Sequence, residues 1–330
     1  MKKPLLILTG PTAVGKTRLS IKLAKAVNGE IISADSMQVY RYMDIGSAKI
    51  KPEETEGVPH HLIDVLDPEE EFNVVTFQKM CKKCMEEIYG RGHVPILTGG
   101  TGFYIQSVLY DIDFTENAED TTIRDRLEKE AEEKGAEYLH GKLREVDPAS
   151  AGAIHANNIK RVIRALEFYE QTGEKISLHN ETERQKESAY ASCYFVLNDD
   201  REKLYERIDR RVDEMLAEGL VAEVEALKKR GCTRKLVSMQ GLGYKEILAY
   251  LDGEYSLEEA VYRIKRDTRH FAKRQITWFK REKEVIWINK PDFSYDDDKI
   301  LDFMKKEMEA KGMNNRQIKK ELLKNERQTI

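Results

Sequence analysis

Short apolar runs alternate along the chain with longer segments in which apolar residues recur every three or four positions. Five of these runs have the length and β-branched content of strands: "PLLILT", "EIISAD", "HVPILTG", "CYFVLN" and "VIWIN". Strands that alternate with amphipathic helices are typical of an open, mainly parallel sheet covered by helices on both faces. The pattern therefore predicts an α/β fold with a three-layer core.

The strand rhythm is interrupted in the middle of the chain. Residues 115–190 hold no convincing strand and show a charge-rich helical pattern, for example "NNIKRVIRALEFYEQTG". We predict a helical insertion domain there, which divides a catalytic core of residues 1–114 and 191–300. Residues 301–330 are highly charged with few apolar positions, which predicts a charged C-terminal tail that is a frayed helix or disordered.

Composition limits the kinds of protein that this chain can be. Its net charge of −4 over 330 residues excludes a general polycation, so any nucleic-acid site must be a local patch. No apolar stretch reaches the roughly 20 residues of a membrane span, and the N-terminus lacks the pattern of a signal peptide. Four cysteines are too few for a disulfide scaffold, and the CxxC of Cys81 and Cys84 lies in a helical pattern without a second metal-binding pair. We expect a cytoplasmic protein.

The segment "GPTAVGKT", from Gly10 to Thr17, has the spacing of a phosphate-binding loop between a strand and a helix. The glycines allow a tight turn that points successive backbone N–H groups at one anion. Lys16 neutralises charge on the phosphates, Thr17 offers a hydroxyl to Mg²⁺, and the helix adds the positive end of its dipole. The loop therefore predicts phosphate binding without identifying the ligand.

Asp35 directly follows the apolar residues of the second predicted strand. Ligands of open α/β sheets gather at the carboxyl ends of strands, so Asp35 is expected near the phosphate loop. Its carboxylate can accept a proton, hold an amine or ligate Mg²⁺, and it can equally cap the next turn.

The third predicted strand ends in a glycine-rich turn, Gly99, Gly100, Thr101 and Gly102. Glycines let a backbone approach a ligand closely, and Thr101 supplies a hydroxyl, although a flexible turn gives the same pattern. Because three strand ends carry such residues, we expect one shared cleft.

Two basic patterns occur in the second half of the chain. Arg207 and Arg211 are four residues apart and share a helix face, where they either clamp a diphosphate or pair with acidic neighbours. Residues 263–281 hold eight Lys or Arg and one Asp, interleaved with aromatic residues. A basic face on an apolar anchor is typical of a nucleic-acid backbone site, and a solvated helix face is the alternative.

The chain resembles the bacterial tRNA dimethylallyltransferases, also called tRNA isopentenyltransferases, in six segments that occur in order: "GPTAVGKT", "ISADSMQVYRYMDIGSAK", "GGTGFYI", "NNIKRVIRALEFYEQTG", "RVDEMLAEGL" and "AKRQITWFKR". The likeness runs to about Lys290, and its "DSMQVY" and "KRQ.TWF" segments are more specific than the phosphate loop. Small departures at Ser47, Ile50 and Phe103 touch no residue assigned to chemistry.

This resemblance implies a P-loop-type fold and a defined reaction. A dimethylallyl group would pass from dimethylallyl diphosphate to N6 of the adenosine 3′-adjacent to the anticodon of tRNA, with release of pyrophosphate. The phosphate loop would then hold the diphosphate of the prenyl donor rather than ATP. The implied cofactor is Mg²⁺, the macromolecular partner is the anticodon stem-loop of tRNA, and the protein would act as a monomer without a membrane.

The resemblance also implies roles for individual residues. Asp35 would be the general base, and the other catalytic groups would be Lys16, Thr17, Thr101 and Arg211, with Thr17 also holding the metal. The diphosphate would be bound by the loop and two arginines, namely Gly10, Pro11, Thr12, Ala13, Val14, Gly15, Lys16, Thr17, Arg207 and Arg211. The tRNA would contact residues of the base entrance, the insertion and the basic helix, namely Asp35, Ser36, Met37, Gln38, Thr101, Arg124, Lys160, Arg161, Arg164, Arg269, Lys273 and Arg274.

A P-loop small-molecule kinase that uses ATP is the alternative. Such an enzyme binds ATP at the same loop, and the helical insertion would be its lid. A nucleic-acid-binding module without catalysis would leave the phosphate loop and Asp35 unexplained.

Overall fold

A computed structural model describes residues 2–114 and 122–313, and within these ranges six strands form one all-parallel sheet. The strands are β1 (Pro4–Thr9), β2 (Gly29–Ser33), β3 (His60–His61), β4 (Val94–Gly99), β5 (Ala191–Asn198) and β6 (Val285–Asn289). Their order in the sheet is β3-β2-β4-β1-β5-β6. The α/β prediction and all five predicted strands are confirmed, whereas β3 escaped prediction because it is two polar residues long.

Strand β1 lies inside the sheet, between β4 and β5, and its apolar residues are fully buried. A parallel strand covered on both faces has no solvent side, which explains why "PLLILT" is a continuous apolar run. Three helices follow the first strands: α1 (Lys16–Val27), α2 (Val74–Gly90) and α3 (Gly102–Leu109). Helix α2 contains Cys81 and Cys84, as predicted for that segment.

The described chain divides into two compact units. One comprises residues up to 109 and from 189 onward, and the other is Tyr110–Ser188. The second unit contains α4 (Thr122–Lys134), α5 (Ala136–Val146), α6 (Pro148–Ala153), α7 (Ile159–Thr172) and α8 (Ile176–Gln185). Its own apolar core includes Leu127, Leu143 and Val162, all fully buried. The expected start of the insertion at residue 115 falls within 115–121, outside the described residues.

After β5 the chain forms α9 (Arg201–Glu218), α10 (Leu220–Lys229), α11 (Tyr244–Leu251), α12 (Leu257–Phe279) and, beyond β6, α13 (Asp297–Ala310). Helix α13 packs against α1 and β5 through Ile300, Met304 and Met308, which recur every four residues and are buried. This differs from the expectation of a tail with little to bury from residue 301. Residues 314–330 lie outside the described ranges. Within those ranges, no helix has both the length and the hydropathy of a membrane span.

Candidate active site

The loops after β1, β2 and β4 meet at one edge of the sheet because these three strands are neighbours. Backbone hydrogen bonds join the loops directly. The Ala34 N–H donates to the Thr98 carbonyl at 2.8 Å, and the Thr101 N–H donates to the Ala34 carbonyl at 3.3 Å. The Thr9 hydroxyl donates to the Gly99 carbonyl at 2.6 Å. The structure therefore brings the phosphate loop, the Asp35 segment and the glycine-rich turn together.

The phosphate loop requires glycine at both ends. Gly10 has φ +146° and Gly15 has φ +95°, and a Cβ on Gly10 would lie 2.5 Å from the Leu197 carbonyl oxygen. Side-chain-bearing residues rarely adopt such angles. Because Gly15 is also the N-cap of α1, the loop leads directly into a helix N-terminus that favours an anion.

Lys16 lies inside this loop, and no carboxylate of the described residues is bonded to it. Its Nζ donates to the carbonyl oxygens of Gly10 at 3.0 Å and Pro11 at 2.9 Å. Burial and the positive charge of Arg211 lower the pKa of Lys16 to about 8, although Asp35 acts in the opposite direction. An anion bound in the loop would relieve this deficit of negative charge.

The two arginines of α9 have different surroundings. Arg207 donates from Nε to the Ala13 carbonyl at 3.0 Å and forms an ion pair with buried Asp199, so it braces the phosphate loop. Arg211 forms no hydrogen bond or ion pair with the described residues. Burial lowers its pKa, which the charges of Asp35 and Glu214 partly restore. Of the two, Arg211 is the cation left available to a ligand.

Asp35 uses one carboxylate oxygen locally. Oδ1 accepts a hydrogen bond from the Met37 N–H at 2.8 Å, which is the capping role that the sequence left open. Oδ2 has no hydrogen-bond partner among the described residues, and the carboxylate acts electrostatically on both Lys16 and Arg211. The capping turn thus orients a carboxylate whose second oxygen is available.

Two other residues predicted to line the entrance for the adenine base, Met37 and Gln38, already contact other parts of the protein. The Gln38 side chain accepts a hydrogen bond from the Ser33 hydroxyl at 2.8 Å and donates to the Ala48 carbonyl at 3.3 Å. Gly241 lies so close to Met37 that a Cβ there would be 2.5 Å from the Met37 methyl carbon. Ser36 has no hydrogen bond to the described residues and is partly exposed.

The three glycines of the turn after β4 face protein atoms. A Cβ on Gly99 would lie 2.2 Å from the Ala34 carbonyl oxygen, one on Gly100 2.1 Å from Gln275 Nε2, and one on Gly102 2.2 Å from the Trp278 ring. The sequence predicted that these glycines allow a ligand to approach closely. In the structure they allow neighbouring segments of the protein to pack closely. The Thr101 hydroxyl has no hydrogen-bond partner among the described residues.

Sequence reasoning missed two buried side chains that contact the phosphate loop. Gln275 accepts a hydrogen bond from the Thr12 N–H at 2.9 Å and donates to the Gly100 carbonyl at 3.0 Å. Lys290 donates from Nζ to the Val14 carbonyl at 3.2 Å, and burial lowers its pKa. The signal for Gln275 was its position on the buried face of α12, but nothing in the sequence pointed to its partners.

The basic helix α12 does not present all its cations to solvent. Arg269 pairs with Asp209 of α9 at 2.6 Å, and Arg266 pairs with Asp267 at 2.8 Å. Lys273 has no acidic partner among the described residues. An open cavity of about 480 Å³ is lined by His270, Lys273, Arg274, Thr277, Trp278 and Arg281. The accessible basic face therefore lies on the Lys273 and Arg274 side of the helix.

The predicted cations of the second unit also divide into two pairs. Arg124 and Arg164 both contact the buried carboxylate of Glu167, at 3.0 and 3.3 Å. Lys160 and Arg161 are exposed in the first turn of α7 and have no acidic partner among the described residues. Only the second pair keeps its full charge available to a polyanion.

The described residues contain no group of three or more His, Cys, Asp or Glu side chains able to hold a metal ion. The Thr17 hydroxyl is exposed in the first turn of α1 and has no hydrogen-bond partner in the described part of the chain. Mg²⁺ commonly takes one or two protein oxygens together with substrate phosphates. The residues therefore fit a magnesium ion that is bound mainly through a diphosphate.

Comparisons with known proteins identify the family of the chain. The family model described as IPP transferase matches residues 38–282, and the one described as isopentenyl transferase matches residues 3–69. A tRNA dimethylallyltransferase of Lachnoclostridium phytofermentans is 64% identical over 303 residues, which cover 92% of this chain and 97% of that protein. One from Acetivibrio thermocellus is 53% identical over 91% of this chain and 96% of its own length.

Solved structures give the same result. The full-length tRNA isopentenylpyrophosphate transferase of Bacillus halodurans is 45% identical with a TM-score of 0.71, and the match covers 94% of this chain and 98% of that one. A eukaryotic dimethylallyltransferase acting on tRNA is 32% identical with a TM-score of 0.76, over 88% of this chain and 75% of that one. A P-loop-type fold is common to both alternatives, but the identity to tRNA dimethylallyltransferases over nearly the whole length decides against the kinase. The chain belongs to the tRNA dimethylallyltransferase family.

Proposed function

We propose that this tRNA dimethylallyltransferase moves a dimethylallyl group from dimethylallyl diphosphate to N6 of the adenosine 3′-adjacent to the anticodon and releases pyrophosphate. The observation that supports this most directly is that the carboxylate of Asp35 acts electrostatically on both Lys16 and Arg211, neither of which has an ion pair with the described residues. We further propose that the protein acts as a monomer in the cytoplasm.

The phosphate loop, Lys16 and Arg211 serve the donor. Breaking the bond between the allylic carbon and oxygen leaves negative charge on the departing pyrophosphate, and positive groups fixed beforehand stabilise that charge. Arg207 and Lys290 hold the loop in shape through the carbonyls of Ala13 and Val14. Mg²⁺ held by the Thr17 hydroxyl and phosphate oxygens would supply further neutralisation of the leaving group.

Asp35 and Thr101 serve the acceptor. The N6 lone pair forms the new bond to the allylic carbon, the carbon–oxygen bond breaks with its electron pair going to pyrophosphate, and N6 then carries an excess proton. The free oxygen of Asp35 accepts that proton. The adenine must leave its base stack to reach the cleft. There the Thr101 hydroxyl and Ser36 would contact the extruded nucleotide.

Other cations would hold the tRNA. The predicted cations that no carboxylate of the described residues engages are Lys273 and Arg274 on α12 and Lys160 and Arg161 on α7. Contacts to phosphates fix the position of a nucleic acid without reading its sequence. We propose that these four residues bind the backbone of the anticodon stem and loop, and that Arg124, Arg164 and Arg269 contribute less because carboxylates engage them.

The test is product analysis. The full chain is incubated with an unmodified tRNA, dimethylallyl diphosphate and Mg²⁺, and the tRNA is digested to nucleosides for mass spectrometry. We expect one adenosine to gain a dimethylallyl group, with one pyrophosphate released per group. A tRNA with another base at that position should give no product. Phosphate transfer from labelled ATP without prenylation would contradict the proposal.

A further inference from the structure

The side-chain amide of Gln275 joins two loops of the candidate active site. Its oxygen accepts from the Thr12 N–H of the phosphate loop at 2.9 Å, and its nitrogen donates to the Gly100 carbonyl of the turn after β4 at 3.0 Å. Since Thr101 is the next residue after Gly100, one side chain connects the loop assigned to the donor with the turn assigned to the acceptor.

The link through the Gln275 amide is buried and tightly packed. Gln275 is buried, with 6% of its surface exposed, so neither hydrogen bond can be replaced by water without rearrangement. A Cβ on Gly100 would lie 2.1 Å from Gln275 Nε2, so the turn approaches the amide as closely as a glycine permits. No other side chain in the described residues bonds to both loops.

Gln275 is separated from the surface to which we assign tRNA binding. It lies on the buried face of α12 with Ile264 and Phe279, whereas Lys273 and Arg274 line the open cavity on another face of the helix. Replacing Gln275 therefore leaves those cations unchanged. Loss of the Gln275 amide should change the geometry of the cleft and not the affinity for the tRNA backbone.

We propose that Gln275 is a positioning residue that sets the spacing between the diphosphate-binding loop and the Thr101 turn. This inference rests on the proposed function, because the reacting carbon and N6 are held by these two loops. A misplacement of about 1 Å between reacting groups can lower a rate by roughly 100-fold. Gln275→Met keeps a similar shape and removes both hydrogen bonds, so we expect kcat to fall about 10- to 100-fold with KM for both substrates changed less than about threefold.

Gln78→Met is the matched control. Gln78 is equally buried, at 7% exposed, and donates to the Ser107 carbonyl of α3 at 2.7 Å, so it links two helices. Both variants lose a buried amide and should lose thermal stability to a similar degree. Only Gln275→Met should lose kcat, measured well below either melting temperature.

Gly100→Ala approaches the same link from the other side and also serves if Gln275→Met does not fold. Its methyl group would displace the Gln275 amide. Because each change breaks the same connection, the double variant should lose little more kcat than the worse single variant. Multiplicative losses would show that the two residues act independently, and would overturn the proposal.

Amide hydrogen exchange gives a readout that does not depend on turnover. Gln275→Met should speed exchange of the Thr12 amide, and Gln78→Met should not. If the wild-type chain prenylates no tRNA, the proposed function fails while exchange still reports whether Gln275 fixes the loop. If wild type is active and Gln275→Met keeps its kcat, or loses only tRNA affinity, the positioning role is wrong.

Discussion

Lys16 and Arg211 at the phosphate loop are bonded in the opposite way to Arg124 and Arg164 of the helical unit. Lys16 donates only to backbone carbonyls, and Arg211 has no bonded partner in the described chain. In the helical unit, Arg124 and Arg164 share the buried carboxylate of Glu167. Lys16 and Arg211 are desolvated without a bonded counter-ion among the described residues, whereas Glu167 neutralises Arg124 and Arg164.

This difference separates binding groups from supporting groups. Burial destabilises the charged form of a cation that has no bonded partner, and a bound anion stabilises that charged form again. A cation already paired with a buried carboxylate must lose that partner before it gains another. The available cations of each region are therefore those that the protein itself leaves unpaired.

The largest expected effect is on Asp35, the carboxylate that acts on both unpaired cations. Asp35→Asn keeps an oxygen for the Met37 N–H, so the turn is preserved while the base is lost. We expect the single-turnover rate to fall about 10²- to 10⁴-fold with little change in the binding of either substrate. Rapid-quench measurement of prenylated tRNA gives this rate.

A titration of Mg²⁺ distinguishes three roles of Asp35: general base, metal ligand and capping residue. Rescue of Asp35→Asn by high Mg²⁺ would indicate metal ligation, since a missing base cannot be restored in that way. A near wild-type rate at ordinary Mg²⁺ would reduce Asp35 to a capping residue.

Lys16→Ala removes the positive charge nearest the leaving group. We expect kcat to fall about 10²- to 10³-fold, because charge develops on pyrophosphate in the transition state, while tRNA affinity stays close to wild type. Lys22→Ala is the control and should be active, because Lys22 lies on the same helix but is partly exposed and paired with Asp298. Equal losses of turnover and tRNA affinity in Lys16→Ala would contradict this separation of roles.

The comparison within the helical unit predicts a smaller effect, on tRNA binding alone. Replacing Lys160 and Arg161 with Ala should weaken tRNA about tenfold and reduce the salt slope by about one unit per lost phosphate contact. Arg124→Ala should change the slope less, because Glu167 already neutralises it. Filter binding over a range of salt concentrations measures both. The same slope in wild type and the double variant would show a solvated face.

The smallest expected effect is a pH dependence. The pKa of Lys16 is lowered to about 8, so the free enzyme loses this charge as the pH rises through that value. We expect kcat/KM for dimethylallyl diphosphate to fall to about half by pH 8 and further above it. At saturating donor, kcat should stay level to higher pH, because the bound anion raises the pKa of the lysine. In Lys16→Arg, which stays protonated, the same decline would show that another group is responsible.

Much of the fold could be predicted because it depends on local pattern. Five strands were visible as continuous apolar runs, and the phosphate loop carries its glycine and lysine spacing in eight consecutive residues. Strand β3 was missed because His60 and His61 are polar and pair over two residues only. Helix α13 was underestimated because its apolar stripe is interspersed with charged residues that face solvent.

The bonding of the site could not be predicted, because it depends on residues far apart in sequence. Arg207 and Arg211 share one helix face and look equivalent in the sequence. Only the positions of Asp199 and the Ala13 carbonyl in the fold show that Arg207 is already bonded. Likewise Arg269 looked equivalent to Lys273 until Asp209 of another helix was placed beside it. Sequence gives the candidates, and the partners that neutralise some of them come from tertiary packing.

The close approach at the turn after β4 restricts how this enzyme can evolve. At Gly100 and Gly102 a new side chain would meet the side chains of Gln275 and Trp278, so a second substitution at the facing position could make room for it. At Gly99 it would meet the backbone of Ala34, which no substitution shortens. A change at Gly100 therefore costs the Gln275 link unless a second mutation accompanies it, a change at Gly102 needs a smaller residue in place of Trp278, and Gly99 has no such compensating change.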